Sequence, residues 1–134
     1  MLEALRGELR PSMIAAVRRL REAGLPLALL SNNVAPMERS GPLGELLGLF
    51  DAIVESSVEG VRKPESEIYR RALTRLSEAV GRPIQATDCA YLDDLGINLK
   101  PARELGFSTI MVVEPATALA ELSELVGFRL DDAL

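Results

Sequence analysis

The chain has 134 residues and a mass of 14.5 kDa, the size of one average domain, and 48% of its residues are hydrophobic, enough for one buried core. Acidic residues outnumber basic ones by 20 to 15, the net charge is −5, and no basic stretch carries aromatic side chains, so the composition argues against a nucleic-acid partner. No apolar run is long enough for a signal peptide or a membrane span, and the absence of histidine excludes Ser-His-Asp and Cys-His nucleophile systems.

The first predicted elements are an amphipathic helix and a buried strand. From Pro11 to Gly24, apolar residues recur at helical spacing and charged residues take the opposite side, which predicts a helix that ends at the glycine. Residues 25–30 form a short, unbroken apolar run. A run of this length without alternation is typical of a strand that is buried on both faces of a parallel sheet.

The middle of the chain is predicted to hold a loop, a second strand and a long helix. Glycine and proline interrupt residues 34–50, which leaves room for one short helical turn over residues 43–47. Residues 52–54 predict the second strand, and Gly60 marks the turn after it. The long helix is predicted to begin at Pro64 and to run to about Val80, where Gly81 stops it.

Two further strand–helix pairs follow. Residues 89–92 predict the third strand, a helix then ends at Gly106, residues 109–113 predict the fourth strand, and residues 116–126 predict the last helix. The single cysteine, Cys89, lies in the third strand, where we interpret it as a small buried hydrophobic residue. A lone cysteine excludes an internal disulfide and a structural zinc cluster and is typical of a reducing compartment, so we expect a cytoplasmic protein.

Strands that alternate with helices in this way are typical of an α/β domain whose largely parallel sheet is joined by right-handed crossovers. In such sheets, ligands bind beyond the carboxyl ends of the strands. This rule selects as candidate site residues Ser31 with Asn32, the loop around Lys63, Asp93 with Asp94, and Glu114.

Asp93 and Asp94 place two adjacent carboxylates directly after a strand, and Asn98 follows four residues after the second. Because neighbouring carboxylates repel each other, a magnesium ion would stabilise the ionised form of one or both. The alternative is structural, because one aspartate would also serve as a cap for the helix that begins near Asn98.

Ser31, Asn32 and Lys63 also have two interpretations. A hydroxyl and an amide N–H at a strand end can bind a phosphoryl oxygen, and an inward-pointing lysine would neutralise both a carboxylate cluster and a phosphate. Taken singly, Ser31 and Asn32 are an ordinary turn, and Lys63 is a solvated lysine. Their occurrence together at successive strand ends favours the functional interpretation.

This order of residues resembles motifs two, three and four of the haloacid dehalogenase-like (HAD) hydrolases. Residues 50–56, 63–69 and 92–106 are similar to the phosphatase-like N-terminal domain of soluble epoxide hydrolases and to the related HAD domain of acyl-CoA dehydrogenase-like proteins. The resemblance covers residues 11–130. It implies a three-layer, Rossmann-like core with a mostly parallel sheet.

The resemblance also implies a role for each candidate residue. Ser31 stands where the family has the serine or threonine that binds the transferring phosphoryl group, and Asn32 follows it in the same pocket. Lys63 matches the lysine that steadies the nucleophile and the phosphate. The magnesium site that the resemblance implies consists of Asp94, with Asp93 beside it and Asn98 as a supporting residue.

The nucleophile of the family is an aspartate in an Asp-x-Asp motif after the first strand, and the chain has no counterpart to it. The acids among the first ten residues are Glu3 and Glu8, and no strand precedes Asp131–Asp132. The small cap domain of many relatives is also missing. We therefore expect a single partial core domain, residues 1–134, that is truncated before its first strand, binds Mg²⁺ weakly and is inactive alone.

Three interpretations stay open: a truncated hydrolase whose nucleophile segment lies before Met1, a non-catalytic module that binds a partner or a phosphorylated small molecule, and one half of a split enzyme. In the family, the missing strand lies between the strands that end at Ser31 and Asp93. Its loss would leave two apolar edges facing a gap. The two strands would pair directly or a second copy would cover them, and we expect a homodimer.

Overall fold

A computed structural model describes residues 11–130, so Glu3, Glu8, Asp131 and Asp132 lie outside the described residues. The elements in chain order are α1 (Pro11–Glu22), β1 (Ala28–Ser31), α2 (Gly41–Leu47), β2 (Ala52–Glu55), α3 (Ser56–Glu59), α4 (Ser66–Val80), a 3₁₀ turn (Ala86–Asp88), β3 (Ala90–Asp93), α5 (Gly96–Leu105), β4 (Ser108–Met111) and α6 (Pro115–Val126). None of the helices between residues 11 and 130 is long and apolar enough to cross a membrane.

The four strands form two parallel pairs. In the first pair, β1 lies beside β2 with Ala28 opposite Ala52, and in the second, β3 lies beside β4 with Ala90 opposite Ser108. Within residues 11–130, β1 and β3 are not paired with each other, so direct pairing of these two strands is not the arrangement of the described chain. The homodimer stays a prediction.

Helices cover both faces of the strands and bury two hydrophobic clusters. Successive strand residues point to opposite faces, so Leu29 and Leu92 pack on the side of α1 and α6, whereas Leu30 and Tyr91 pack on the side of α4 and α5. Both strand pairs contribute to both clusters. The strands therefore form the middle layer of a three-layer α/β core, which confirms the predicted fold class.

The elements predicted from the sequence are present, and their ends differ from the predictions at a few positions. The strand predicted for residues 25–30 begins at Ala28, and the helix predicted from Pro64 begins at Ser66. Pro64 is not the first helical residue because it lies in a turn before the helix, in which the Glu65 N–H donates to the Arg62 carbonyl at 2.8 Å. The Lys63–Pro64 peptide bond in this turn is cis. The sequence analysis also missed α3 and the 3₁₀ turn, which are too short to carry a periodic pattern.

Candidate functional site

Hydrogen bonds join the carboxyl ends of β1 and β3 through the loop that carries Lys63. The Asn32 side chain binds the main chain of Lys63, and the Lys63 ammonium Nζ donates to Oδ2 of Asp93 at 3.2 Å. Because Asn32 follows β1 and Asp93 ends β3, these contacts place both strand ends at the same edge. This is the edge at which α/β proteins bind ligands.

Asp93 and Lys63 form a buried ion pair, with 1% and 5% of their side chains exposed. Oδ2 of Asp93 also accepts from the Tyr91 hydroxyl and, at 3.2 Å, from Nδ2 of Asn98, and Oδ1 accepts from the Leu95 N–H at 3.0 Å. Three of these four donors point at Oδ2 and one at Oδ1, and each carboxylate oxygen has about two lone-pair sites. Oδ2 of Asp93 is therefore fully engaged by the protein.

These contacts keep the Asp93 carboxyl group ionised. Burial by itself would raise the pKa of this carboxyl group, but the Tyr91 hydroxyl, the Lys63 ammonium and the Leu95 N–H stabilise the anion more strongly, so the pKa lies below its ordinary value of 3.8. Asp93 is a carboxylate at neutral pH.

An aromatic group, formed by the rings of Tyr69, Tyr91 and Phe107, packs beside Asp93 on the side of α4 and α5. The rings of Tyr69 and Tyr91 meet edge to face with their centroids 5.5 Å apart, and both contact the ring of Phe107. The Tyr69 hydroxyl donates to the Asn98 carbonyl at 2.6 Å. Tyr69 therefore holds Asn98, whose side chain binds Asp93. Neither tyrosine was among the site residues predicted from the sequence. The signal for Tyr91 was its spacing, because residues i and i+2 of a strand share a face.

Replacement of Tyr91 by phenylalanine tests this arrangement. We expect the free energy of unfolding to fall by about 1.5–3 kcal/mol at neutral pH, because the ring stays in place and one hydrogen bond to a buried anion is lost. A carboxyl group with a lowered folded-state pKa stabilises the fold above its unfolded-state pKa and loses this effect as the pH falls. The difference between Tyr91→Phe and the parent protein should therefore shrink in acid, as measured by urea unfolding at a series of pH values.

Tyr69→Phe is the matched control, because it removes a buried hydroxyl from the same aromatic group but one that donates to a neutral carbonyl. We expect a loss of about 0.5–1.5 kcal/mol that changes little with pH. Equal pH dependence in the two variants would contradict the assignment of the Tyr91 hydroxyl to the Asp93 anion.

Of the other predicted site residues, Asn98 contacts the ion pair directly through Asp93. Ser31 is half-buried at the end of β1, and Asp94 is half-buried in the turn after β3. Asn98 lies in the first turn of α5 with 5% of its surface exposed. Glu114 is exposed directly before α6, and its side chain does not cap that helix. The capping alternative for the aspartates is wrong, because α5 has Leu95 as its N-cap and no side chain caps it. Asp93 instead binds the N–H of Leu95 itself.

The described residues do not build a magnesium site by themselves. Residues 11–130 contain no group of three His, Cys, Asp or Glu side chains that could hold a metal ion. Oδ2 of Asp93 already accepts from three donors, and the Asp94 side chain also interacts with Asp93. Magnesium takes nearly octahedral oxygen ligands, commonly one or two protein carboxylates with waters and substrate phosphates, so the two aspartates would supply only part of its ligand shell.

A second buried carboxylate, which the sequence analysis did not select, fixes the loop after β1. Glu55 ends β2 with 2% of its surface exposed and accepts from Nδ2 of Asn33 at 3.0 Å, from the Met37 N–H at 2.6 Å and from the Arg39 guanidinium at 2.7 Å. Burial would raise the pKa of Glu55, but these three donors together hold it below its ordinary value of 4.5. Glu55 thus ties residues 33–39 to the edge of the sheet that carries the site.

This geometry limits the chemistry of the site. Lys63 brings an ammonium group to the sheet edge where β1 ends at Ser31, and Nζ of Lys63 is paired there with Asp93. Oδ2 of Asp93 is unsuited to attack a phosphorus atom, because three donors already bind it.

Comparison with known proteins places the chain in a family. The model of haloacid dehalogenase-like hydrolases matches residues 1–106. The chain is 42% identical over 122 residues to mouse acyl-CoA dehydrogenase family member 10, and the aligned region covers 90% of the chain and 11% of that protein. It is 34% identical over 126 residues to rat bifunctional epoxide hydrolase 2, covering 90% of the chain and 22% of that protein. An enolase-phosphatase E1 from Frankia alni is 31% identical over 115 residues, 83% of the chain and 46% of that protein.

Solved structures agree on the fold. An uncharacterised protein from Corynebacterium glutamicum superposes with a TM-score of 0.72 at 24% identity, covering 96% of this chain and 94% of that one. A HAD phosphatase from Thermococcus onnurineus gives a TM-score of 0.70 at 19% identity, covering 91% of this chain and 60% of that one. The chain spans less than half the length of the curated relatives named above. With the family model matching most of its residues and a three-layer core of the same fold, the chain belongs to the haloacid dehalogenase-like hydrolases.

Proposed function

We propose that this chain is the phosphoryl-binding part of a HAD-type phosphatase core, and that it binds a phosphorylated small molecule without hydrolysing it by itself. The observation that carries the proposal is the buried Lys63–Asp93 ion pair at the carboxyl edge of the strands, where β1 also ends at Ser31. The relatives whose names include a phosphatase or a hydrolase support the same direction.

In this proposal, Lys63 supplies the positive charge for the phosphate, and Asp93 keeps the ammonium in place. The Ser31 hydroxyl donates to a phosphoryl oxygen, and the main-chain N–H of Asn32 lies next along the chain. Tyr91 and Asn98 hold the Asp93 carboxylate, so they act on the phosphate only through Lys63. Each of these groups binds or orients, and none forms a covalent bond.

Hydrolysis needs a further group. Covalent phosphoryl transfer requires a carboxylate that attacks phosphorus and leaves again, and the described residues hold Asp93 where it does not serve this purpose. The complete family reaction uses Mg²⁺, which neutralises charge on the transferring phosphoryl group, and weak binding of this ion at Asp93 and Asp94 stays a prediction for this chain.

Titration of the purified chain with inorganic phosphate, followed by NMR and calorimetry, tests the proposal. We expect binding in the millimolar range, and we expect Ser31→Ala to weaken it about tenfold because one hydrogen bond to an anion is lost. Ser12→Ala, on the exposed side of α1, is the matched control and should bind like the parent chain. An aryl phosphate should be hydrolysed at the background rate.

Two results would contradict the proposal. Phosphate that leaves the spectrum unchanged at high concentration would remove the binding function. Aryl phosphate hydrolysis that persists when the protein is purified further, and that is lost in Ser31→Ala, would show that the chain is a complete enzyme.

A further inference from the structure

Both polar ends of the Asn32 side chain bind one residue, and they bind its main chain. Oδ1 accepts from the Lys63 N–H at 2.8 Å, and Nδ2 donates to the Lys63 carbonyl at 3.1 Å. A side-chain amide that forms both bonds with one residue fixes the orientation of that main chain as well as its distance. The sequence placed Asn32 in the phosphate pocket, but in the structure its side chain is engaged by Lys63.

The contact between Asn32 and the Lys63 main chain fixes the point from which the flexible lysine side chain starts. Lysine carries its ammonium group on a four-carbon stem with many rotamers, so an anchored tip alone leaves the path of the stem undefined. Here, Asn32 holds the main chain of Lys63, and Asp93 holds Nζ at 3.2 Å. Fixed at both ends and 5% exposed, the lysine side chain is confined to the space between the carboxyl ends of β1 and β3.

The neighbouring asparagine has a separate set of partners. Nδ2 of Asn33 donates to Glu55 at 3.0 Å, and its Oδ1 accepts from the Ser57 N–H at 3.2 Å. Its main-chain N–H donates to the Ser56 hydroxyl at 2.8 Å. Asn33 therefore ties β1 to the end of β2, and only Asn32 of the two binds Lys63 in these contacts.

We propose that Asn32 is a positioning residue for Lys63, acting through its side-chain amide on the lysine main chain. Its consequence for phosphate rests on the proposed function, whereas its consequence for Lys63 does not. The side chain of Asn32 is then not a phosphate ligand, and any contribution of this residue to phosphate binding by direct contact comes from its main-chain N–H.

The composition of the chain makes the test selective. Lys63 and Lys100 are its two lysines, and Lys100 is exposed on α5. Protein labelled with ¹³C,¹⁵N-lysine therefore gives two side-chain signals, one buried and one exposed, without chemical modification. The variants are Asn32→Ala and, as the matched control, Asn33→Ala, which also removes two side-chain hydrogen bonds but none to Lys63.

Two quantities are measured in each variant: hydrogen exchange of the Lys63 ammonium group and the affinity for inorganic phosphate. In Asn32→Ala we expect exchange at Lys63 to become about tenfold faster, because the lysine main chain is no longer held, and phosphate affinity to fall about tenfold. In Asn33→Ala, the Lys63 exchange rate should match the parent protein. Lys100 should be unchanged in both variants.

The positioning role is overturned if phosphate affinity falls in Asn32→Ala while Lys63 exchange stays as in the parent protein, because the amide would then be a direct ligand. It is also overturned if Asn33→Ala produces the same change at Lys63. If phosphate binds none of the proteins, the proposed function fails, and the Lys63 exchange rate still decides the positioning role. Should Asn32→Ala not fold, Asn32→Asp is compared with the parent protein in its place. It keeps the acceptor for the Lys63 N–H and loses the donor to the Lys63 carbonyl, so exchange at Lys63 should still be faster, and an unchanged rate would overturn the role.

Discussion

Replacement of Lys63 by methionine is expected to lower the free energy of unfolding by about 3–5 kcal/mol. Methionine preserves most of the side-chain volume, but it leaves the Asp93 carboxylate buried at 1% exposure without a cation. The remaining donors, Tyr91, Asn98 and Leu95, stabilise the anion only in part. Urea unfolding at neutral pH measures the loss.

The matched controls separate the ion pair from the loss of a lysine as such. Lys100→Met changes the other lysine of the chain, which is exposed, and should alter stability by less than about 0.5 kcal/mol. The double variant Lys63→Met/Asp93→Asn removes both charges and should be more stable than Lys63→Met alone, because no uncompensated charge is then buried. A Lys63→Met protein as stable as the parent would show that the pair is not buried in solution.

The second large effect is expected from Glu55→Gln, with a loss of about 2–3 kcal/mol at neutral pH. The glutamine keeps the shape of the side chain, but it removes the negative charge that binds the Arg39 guanidinium and replaces one acceptor oxygen with a donor. One of the three donors around position 55, from Asn33, Met37 or Arg39, then faces an N–H group. The loop that follows β1 should lose protection from hydrogen exchange at the same time.

The pH dependence of this effect follows from the lowered pKa of Glu55. The carboxylate stabilises the fold above its unfolded-state pKa of about 4.5, and the contribution is lost as the pH falls through the lower folded-state pKa. The difference between Glu55→Gln and the parent should therefore be largest near neutral pH and fade in acid. Glu67→Gln is the control, since Glu67 is half exposed on α4 and its pairs with Arg70 and Arg71 are worth at most about 1 kcal/mol.

Hydrophobic patterning was sufficient to predict the order of the elements. Helix α4 shows why, because Ile68, Ala72 and Leu76 repeat at helical spacing and all three are buried. The ends of the strands were harder to predict. Leu25 to Leu27 continue the apolar run of β1, yet the pairing with β2 begins at Ala28, because pairing depends on the partner strand and not on the run itself.

The residues of the candidate site that lie at strand ends could be predicted from the sequence. The hydrogen-bond partners of those residues could not. The rule that ligands bind at the carboxyl ends of strands selected Lys63 and Asp93, and the structure brings these two residues into contact. No pattern in the sequence showed that the Asn32 amide would be engaged by the Lys63 main chain, 31 residues later. Glu55 also went unselected, because its burial is created by the fold of residues 33–39 around it.

The position of the tyrosines beside Asp93 determines which part of the protein its near-ultraviolet circular dichroism spectrum reports on. The chain has no tryptophan, and both of its tyrosines, Tyr69 and Tyr91, lie in the core on the side of α4 and α5. The tyrosine band of the near-ultraviolet circular dichroism spectrum therefore reports on that side alone, while the side of α1 and α6 contains neither tyrosine. If this band were lost before the far-ultraviolet helix signal, the core beside the candidate site would be the first part of the domain to loosen, and unfolding would not be a single all-or-none step.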